Sequence, residues 1–288
     1  MKIYPIETGN FKLDGGAMFG VVPKTIWQKT NPADSNNLIE MSMRCMLIED
    51  GDRLILIDTG LGNKQSDKFF GYYYLWGNDN LDSSLAQYGF HKNDITDVFM
   101  THLHFDHCGG SVQWNKNRTG YELAFKNATF WSNEDHWRWA TQPNKREKAS
   151  FLKENILPIE ESGQLKFTSV SNEYILNNSE LGFDIFFANG HTDKQMIPMI
   201  KYKEKTIGIN WESTMTPRHF LPGLTIEKIA FESFLDRSSW KNVRTPSSSK
   251  SDASSSNLFH IRPSVKSSML NLVTMRRLLV FSPSTSKS

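Results

Sequence analysis

The chain has 288 residues and a formal net charge of +2, from 33 basic and 31 acidic side chains. This length can bury the core of one large α/β domain, and the near-neutral charge gives no global electrostatic case for binding nucleic acid. Only two cysteines, Cys45 and Cys108, are present. They are too few for a closed thiolate zinc site, and they fit a reducing compartment.

The start of the chain predicts a short strand over residues 1–8. This stretch lacks the apolar run of about 7–15 residues that a secretory signal needs, so we expect a cytoplasmic protein. No segment approaches the roughly 20 consecutive apolar residues that span a bilayer. We therefore expect no membrane-embedded part.

The first half of the chain contains clear signals for regular elements. Residues 43–58 hold two apolar runs around an Asp-Gly turn, which predicts a β-hairpin. Residues 81–88 carry apolar side chains on one helical face and predict a helix. A later helix is expected to begin with Ser132 or Asn133 as its N-cap. Within that helix, His136 is expected to lie on the surface and not to bind metal.

Residues 68–77, Lys-Phe-Phe-Gly-Tyr-Tyr-Tyr-Leu-Trp-Gly, are unusually aromatic. Such rings line pockets for organic substrates, and the segment could form the wall or lid of a cleft. The alternative is ordinary packing beneath a long loop. If the segment lines a pocket, the substrate has an apolar portion.

Residues 101–110 read Thr-His-Leu-His-Phe-Asp-His-Cys-Gly-Gly and follow a short strand-like stretch, residues 97–100. Four metal-capable side chains fall within six positions of this run: His102, His104, Asp106 and His107. Imidazole and carboxylate groups suit zinc and its first-row neighbours. One helix face could not carry all four, because neighbouring positions point about 100° apart. The run therefore predicts a metal site on a loop at the end of a strand.

The spacing within this ligand run indicates two metal ions. His102 and His104 are two residues apart, so their side chains can point to the same side of the chain and approach one ion. Asp106 and His107 follow a bend and can reach a second ion. Paired ions about 3.5–4 Å apart can hold a hydroxide and polarise the bond under attack. We expect Asp106 also to orient this nucleophile and carry its proton to the leaving group. The adjacent Cys108 is expected to be a packed thiol.

Three motifs of the sequence resemble those of the metallo-β-lactamase superfamily: the His-x-His-x-Asp-His run, the apolar strand ending in Asp58-Thr59-Gly60, and the segment Gly190-His191-Thr192. The resemblance spans residues 1 to about 207 and is strongest to the single-domain, lactonase-like hydrolases. It implies an α/β fold of the four-layer αββα sandwich type, with the metal site at one edge. It also implies that His191 joins His102 and His104 at the first ion, and that Asp58 supports the ligands without binding metal.

Beyond His191 the resemblance weakens. The position of the family's bridging carboxylate falls on Glu212, after a predicted strand over residues 205–209, and a solvated glutamate at the strand end is the alternative. His219 fits a supporting histidine found in related enzymes. His260 is the nearest candidate for the family's last ligand, although the aspartate that follows this ligand in the family is absent here.

The composition changes after residue 236. Residues 237–288 hold nine Lys and Arg, one acid and sixteen serines, a composition that has little to bury and predicts disorder. The chain therefore divides into a hydrolase domain over residues 1–236 and a Ser-rich basic tail. The tail could bind an anionic partner such as RNA with salt-sensitive affinity. To explain the change of composition, we favour a reading-frame error or a truncating mutation in the gene. Resequencing the gene and measuring the intact mass of the native protein would test this hypothesis.

The sequence as a whole predicts a metal-dependent hydrolase with two Zn²⁺ ions per chain that uses a metal-held hydroxide on a lactone or ester. Phosphotriesters and β-lactams stay as alternatives, because this fold hosts them all and fold does not decide function. The expected partner is a small molecule with an apolar portion, with neither nucleic acid nor membrane. A degenerate member of the superfamily, which binds a ligand without catalysis, is the other alternative.

Overall fold

The computed structural model describes residues 1–170, 174–210 and 277–281, which form two stacked β-sheets with helices against the first. The strands are, in chain order, β1 (Lys2–Asp14), β2 (Leu38–Asp50), β3 (Arg53–Ile57), β4 (Asp97–Phe99), β5 (Val112–Trp114), β6 (Tyr121–Leu123), β7 (Thr129–Asn133), β8 (Leu165–Thr168), β9 (Ile175–Leu176), β10 (Asp184–Ala188), β11 (Gln195–Tyr202), β12 (Lys205–Asn210) and β13 (Arg277–Phe281). The α-helices are α1 (Gly15–Phe19), α2 (Lys24–Trp27), α3 (Asp67–Gly71), α4 (Leu81–Gln87), α5 (Phe105–Cys108), α6 (Glu134–Thr141) and α7 (Lys153–Glu161). Two 3₁₀ turns cover Lys92–Asp94 and Gly109–Ser111.

The first sheet has the strand order β1-β2-β3-β4-β7-β8. Its first three strands are antiparallel neighbours, whereas β3, β4, β7 and β8 pair in parallel. The second sheet has the order β13-β12-β11-β10-β9, and all its pairs are antiparallel. Strands β5 and β6 form a separate hairpin.

The predicted hairpin over residues 43–58 is confirmed as β2 and β3. In β3, Leu54 and Leu56 contact the helix-side core, whereas Ile55 and Ile57 contact the core between the two sheets. Successive strand side chains point to opposite faces, so a strand with both faces covered reads as an unbroken apolar run. Helices, first sheet and second sheet thus form three consecutive layers of the predicted sandwich.

The parallel strands bring several functional segments to one edge of the first sheet. The carboxyl ends of parallel strands meet at the same edge, where open α/β sheets commonly bind ligands. Asp58 follows β3, the ligand run follows β4, and helix α6 follows β7. His191 follows β10 of the second sheet. The candidate site is therefore built where both sheets end.

Glycines allow the loop after β3 to lie directly on the ligand run. A Cβ atom on Gly109 would stand 2.2 Å from the carbonyl oxygen of Leu61, and one on Gly110 would stand 2.3 Å from that of Thr59. The Thr59 amide also donates to the His107 carbonyl oxygen at 2.7 Å, and the Gly110 amide donates to Gly60 at 3.0 Å. No other residue type permits this backbone approach.

Three other predictions about the elements have a clear outcome. The helix predicted over residues 81–88 is confirmed as α4, and Asn133 is the N-cap of α6 because its side chain accepts from the His136 amide. Part of the segment expected to be disordered, Arg277–Phe281, instead forms β13 against β12, as its Leu-Leu-Val-Phe sequence favours strand. The other residues of 237–288 lie outside the described residues, so the division at residue 236 stays a prediction.

In the part of the chain that the structure describes, every helix is too short or too polar to cross a lipid bilayer.

Replacing Gly109 by alanine should strongly destabilise the protein, because the new methyl group would collide with backbone and not with a movable side chain. Overpacking of this kind costs about 1–3 kcal/mol, and we expect the upper end of that range. Chemical denaturation of the variant measures the loss. Gly71→Ala is the control, since a Cβ there meets no atom within 4 Å. Equal stability of the two variants would contradict the predicted backbone contact.

Candidate metal centre

The ligand run occupies a loop and the short helix that follows it. His102 lies in the loop after β4, His104 is the N-cap residue of α5, and Asp106 and His107 lie within α5. The prediction that all four side chains lie on a loop is therefore correct for His102 and His104 and wrong for Asp106 and His107. The chain bends at His104, whose backbone is extended while the next residues are helical. This bend is what turns Asp106 and His107 away from the course of the loop.

Three imidazoles converge at the edge of the sheets. The candidate ligand atoms of His102, His104 and His191 all lie within 4.8 Å of one another. The His104 Nδ1 and His191 Nε2 atoms are 2.9 Å apart. The Nε2 atoms of His102 and His104 are buried without a hydrogen-bond partner among the described residues. Buried polar atoms without partners are rare in folded proteins, and each calls for an explanation such as a bound ion.

Burial determines the charge state of this cluster. Desolvation, followed by the neighbouring imidazoles, lowers the pKa of His102 and of His104 well below the usual value. Both rings are therefore neutral at pH 7. Neutral imidazole is the form that binds metal, because its lone pair is then available.

Asp106 and His107 form a second group beside the first. The His107 Nε2 atom and the Asp106 Oδ2 atom are 3.4 Å apart. The His107 ring lies 3.9 Å from the His102 ring, measured between centroids. A carboxylate oxygen and a ring nitrogen are thus presented together, next to the three imidazoles.

Asp58 connects these groups from behind. Its carboxylate is buried, lies 2.9 Å from the His107 Nδ1 atom and accepts from the Thr101 amide at 2.8 Å. The Thr101 hydroxyl donates to the same carboxylate at 2.8 Å and lies 3.1 Å from the His102 Nδ1 atom. With these contacts on Nδ1, the Nε2 atoms of both rings are left to face the centre. Asp58 itself has φ of 59°, a left-handed conformation that aspartate tolerates better than most residues.

The prediction that His136 lies on the helix surface is wrong. The residue is 1% exposed, its Nε2 atom accepts from the Leu103 amide at 2.9 Å, and its Nδ1 atom lies 2.6 Å from the Asp193 carbonyl oxygen. Burial lowers its pKa to about 4. Trp137 and Ala140 are buried on the same helix, and that spacing was the sequence signal for a buried face.

The loop that carries His191 is held against α6 and the segment after it. Asn133, beyond its capping role, donates from Nδ2 to the Lys194 carbonyl oxygen at 2.9 Å. The Glu147 Oε2 atom accepts from the Thr192 hydroxyl at 3.1 Å and from the Trp139 indole at 2.8 Å. Sequence reasoning missed Glu147, because no local pattern distinguishes it from a surface glutamate.

The aromatic segment over residues 68–77 has two faces. Phe69 and Tyr73 contact Phe105 of the ligand run, with ring centroids 5.3 and 4.8 Å apart. Tyr72 and Tyr74 are 64% and 53% exposed. Packing against Phe105 therefore explains the presence of Phe69 and Tyr73, whereas the neighbouring Tyr72 and Tyr74 are exposed.

Two buried polar groups lie behind the ligand run. The Cys108 thiol donates to the Leu103 carbonyl oxygen at 3.3 Å, and burial raises its pKa to about 12, in agreement with a packed thiol. The Lys64 ammonium donates to the Gly109 carbonyl oxygen, and burial lowers its pKa to about 8. Both groups tie the ligand run to its surroundings. The other predicted site residues, Glu212, His219 and His260, lie outside the described residues.

Residues 43–170 match the family model of the metallo-β-lactamase superfamily. The matched range contains Asp58 and the whole ligand run, whereas His191 lies after it. Together with the two stacked sheets, this match shows that the chain has the metallo-β-lactamase fold and that residues 43–170 resemble the superfamily in sequence.

Among individual relatives, the N-acyl homoserine lactonase AiiB of Agrobacterium fabrum is 27% identical over 146 residues, which are 47% of this chain and 52% of that protein. A crystal structure of a probable metal-dependent hydrolase from Staphylococcus aureus is 29% identical, with a TM-score of 0.61, over 72% of this chain and 71% of that one. The dizinc quorum-quenching lactonase AidC is 21% identical with a TM-score of 0.50, over 70% and 67% of the two chains. The chain spans about half the length of the curated relatives it matches.

We expect the metal-free protein to lose stability as the pH falls below about 6.5. An unfolded histidine has a pKa near 6.5, whereas burial holds that of His136 at about 4. The stability is complete above the unfolded pKa and declines toward the folded one, because acid charges the unfolded chain first. His136 alone should account for about 2 kcal/mol between pH 7.5 and 5. Urea unfolding at both pH values measures this. His91→Asn, at an exposed turn, should leave the decline unchanged, and a flat profile would contradict the prediction.

Asp58→Asn should weaken metal binding. The amide keeps the shape of the carboxylate but removes the charge that faces the His107 Nδ1 atom. Losing such an outer carboxylate typically lowers metal affinity by about 10- to 100-fold. Competition with a chromogenic chelator measures the affinity. Asp52→Asn, in the exposed turn between β2 and β3, is the matched control, and equal affinities in both variants would refute the role.

Proposed function

We propose that the chain is a metal-dependent hydrolase that holds two zinc ions and cleaves an ester-type bond, with lactones as the preferred substrates. One observation carries the proposal: the candidate ligand atoms of His102, His104 and His191 all lie within 4.8 Å of one another, and the buried His102 Nε2 atom has no hydrogen-bond partner among the described residues. Beside them stands the pair formed by Asp106 and His107. The match of residues 43–170 to the superfamily model supports the same activity.

The donor set fits zinc. Zinc binds imidazole nitrogens at about 2.0–2.1 Å in a tetrahedral arrangement, which places two such nitrogens about 3.3 Å apart. The separation of 2.9 Å between the His104 and His191 nitrogens is near this value. Nitrogen donors with a carboxylate and an open position are typical of catalytic zinc sites, whereas structural sites usually employ thiolates. The thiol of Cys108 is buried and donates away from the centre, to a backbone oxygen.

The residues of the centre have separate tasks. His102, His104 and His191 would hold one ion, and Asp106 and His107 would hold the second. Bound zinc supplies a water of lowered pKa and polarises the carbonyl group under attack. Asp106 orients the attacking water, takes up its proton and passes that proton to the leaving oxygen.

Asp58, which lies outside this group, orients ligands of both ions. It contacts His107 directly and His102 through the Thr101 hydroxyl. We retain Glu212 as the bridging carboxylate, His219 as a supporting residue and His260 as a last ligand. The hydrolase domain proposed here extends over residues 1–236.

Two features support a lactone or ester with an apolar portion. The relatives that match the sequence include enzymes named N-acyl homoserine lactonases. Phe105 stands between the ligands His104 and Asp106 and continues into the aromatic segment through Phe69 and Tyr73. These packed rings anchor the segment, and its exposed rings, Tyr72 and Tyr74, are available to line a pocket for an apolar group. Apolar walls with a few polar groups are the usual form of a small-molecule pocket.

Metal analysis and a substrate panel test the proposal on the full-length, zinc-reconstituted protein. We expect about two zinc ions per chain and turnover of acyl-homoserine lactones above that of an aryl ester, a phosphotriester or a cephalosporin. His104→Ala should lose zinc and lower kcat/KM by at least about 100-fold, since it removes a ligand from the reacting centre. His91→Ala, a histidine in an exposed turn, is the matched control.

Two outcomes would overturn the proposal. Undiminished turnover in His104→Ala would exclude the metal centre as the catalyst. One zinc ion or none, together with no turnover of any member of the panel, would instead support a degenerate member that only binds a ligand.

A further inference from the structure

The candidate ligands of the first ion come from different sheets. His102 and His104 follow β4 of the first sheet, whereas His191 follows β10 of the second. Their common centre therefore exists only if the two loops are held at a fixed separation. A backbone hydrogen bond joins β11 to the segment after β4, from the Met196 amide to the Thr101 carbonyl oxygen at 2.8 Å.

His136 contacts both loops with one ring. Its Nε2 atom accepts the hydrogen of the Leu103 amide, which lies between His102 and His104, at 2.9 Å. Its Nδ1 atom lies 2.6 Å from the carbonyl oxygen of Asp193, two residues after His191. Because an amide can only donate, Nε2 carries no proton, and Nδ1 must therefore donate to Asp193. Both ring nitrogens are thus engaged by backbone atoms of the two ligand loops.

The position of His136 is itself well fixed. The residue lies in the first turn of α6, whose cap, Asn133, accepts from the His136 amide at 2.9 Å and donates to Lys194. The ring is 1% exposed and lies 6.5 Å from the His102 ring, measured between centroids. His136 therefore stands outside the cluster of three imidazoles, while it sets the spacing of the backbone that carries them.

We propose that His136 is a positioning residue, which fixes the distance between the ligand run and the His191 loop and thereby the affinity of the first metal site. The inference rests on the proposed function, because it needs the three imidazoles to bind an ion. The apolar packing of α6 is supplied by Trp137 and Ala140, so the polar ring of His136 is not required for that packing.

Cobalt binding tests this role without relying on turnover, since the visible absorption of Co²⁺ reports the geometry of its ligands. His136→Leu fills the space but offers neither hydrogen bond. We expect it to bind the first Co²⁺ ion about 10- to 100-fold more weakly, as when other outer partners of metal ligands are removed, with altered absorption bands. His91→Asn, which keeps its turn, should match the wild type.

Two conservative variants cover the case that His136→Leu fails to fold. His136→Gln retains an acceptor for the Leu103 amide, and His136→Asn retains a donor for Asp193. Each should restore part of the affinity and of the cobalt spectrum. Variants that fold, by circular dichroism and urea unfolding, and bind Co²⁺ with wild-type affinity and spectrum would overturn the positioning role.

The same experiment separates this inference from the proposed function. A wild-type protein that binds two ions and turns over lactones, together with unaffected His136 variants, would refute the positioning role alone. A wild-type protein that binds no Co²⁺ would refute both.

Discussion

The candidate site depends on one buried carboxylate. Asp58 receives the Thr101 amide and hydroxyl and faces the His107 ring, so that one side chain determines the direction of two imidazoles. A buried carboxylate without such partners would be strongly unfavourable. Its charge therefore requires the ligand run to lie where these contacts can form. The order of β3 and β4 in the sheet and the glycines between their loops are the conditions for that contact.

The fold satisfies this requirement at the end of the parallel strands. Backbone contact between the loops after β3 and β4 leaves no room for side chains at Gly109 and Gly110. Behind the run, Lys64 donates to the Gly109 carbonyl oxygen and the Cys108 thiol donates to that of Leu103. The run is thus held by its backbone, and its imidazoles and the Asp106 carboxylate lie together at the candidate site.

The sequence allowed the prediction of whatever depends on local pattern. The apolar pattern led to the hairpin that ends at Asp58, and the spacing of the run led to two groups of candidate ligands. The resemblance led to the supporting role of Asp58 and to His191, which the structure places beside His104. Contacts between segments that are far apart in the sequence could not be predicted from local pattern. His136 and Glu147 receive their roles from residues 193 and 192, and helical spacing alone does not reveal which backbone atoms a side chain will meet. The expected loop became partly helical because the bend at His104 is the start of α5.

Because the candidate ligands come from two sheets, metal binding at this site would be coupled to the packing of the fold. The core between the sheets, with Ile57 and Phe99 on one side and Phe187 and Met196 on the other, brings the loops together by apolar burial. That force is not directional, so it cannot by itself fix two nitrogens at the separation an ion needs. Directional contacts must do this, and Met196 with Thr101 and His136 with both loops are the ones the structure provides. An ion that binds only the packed state stabilises that packing in return, and the fixed spacing determines by how much.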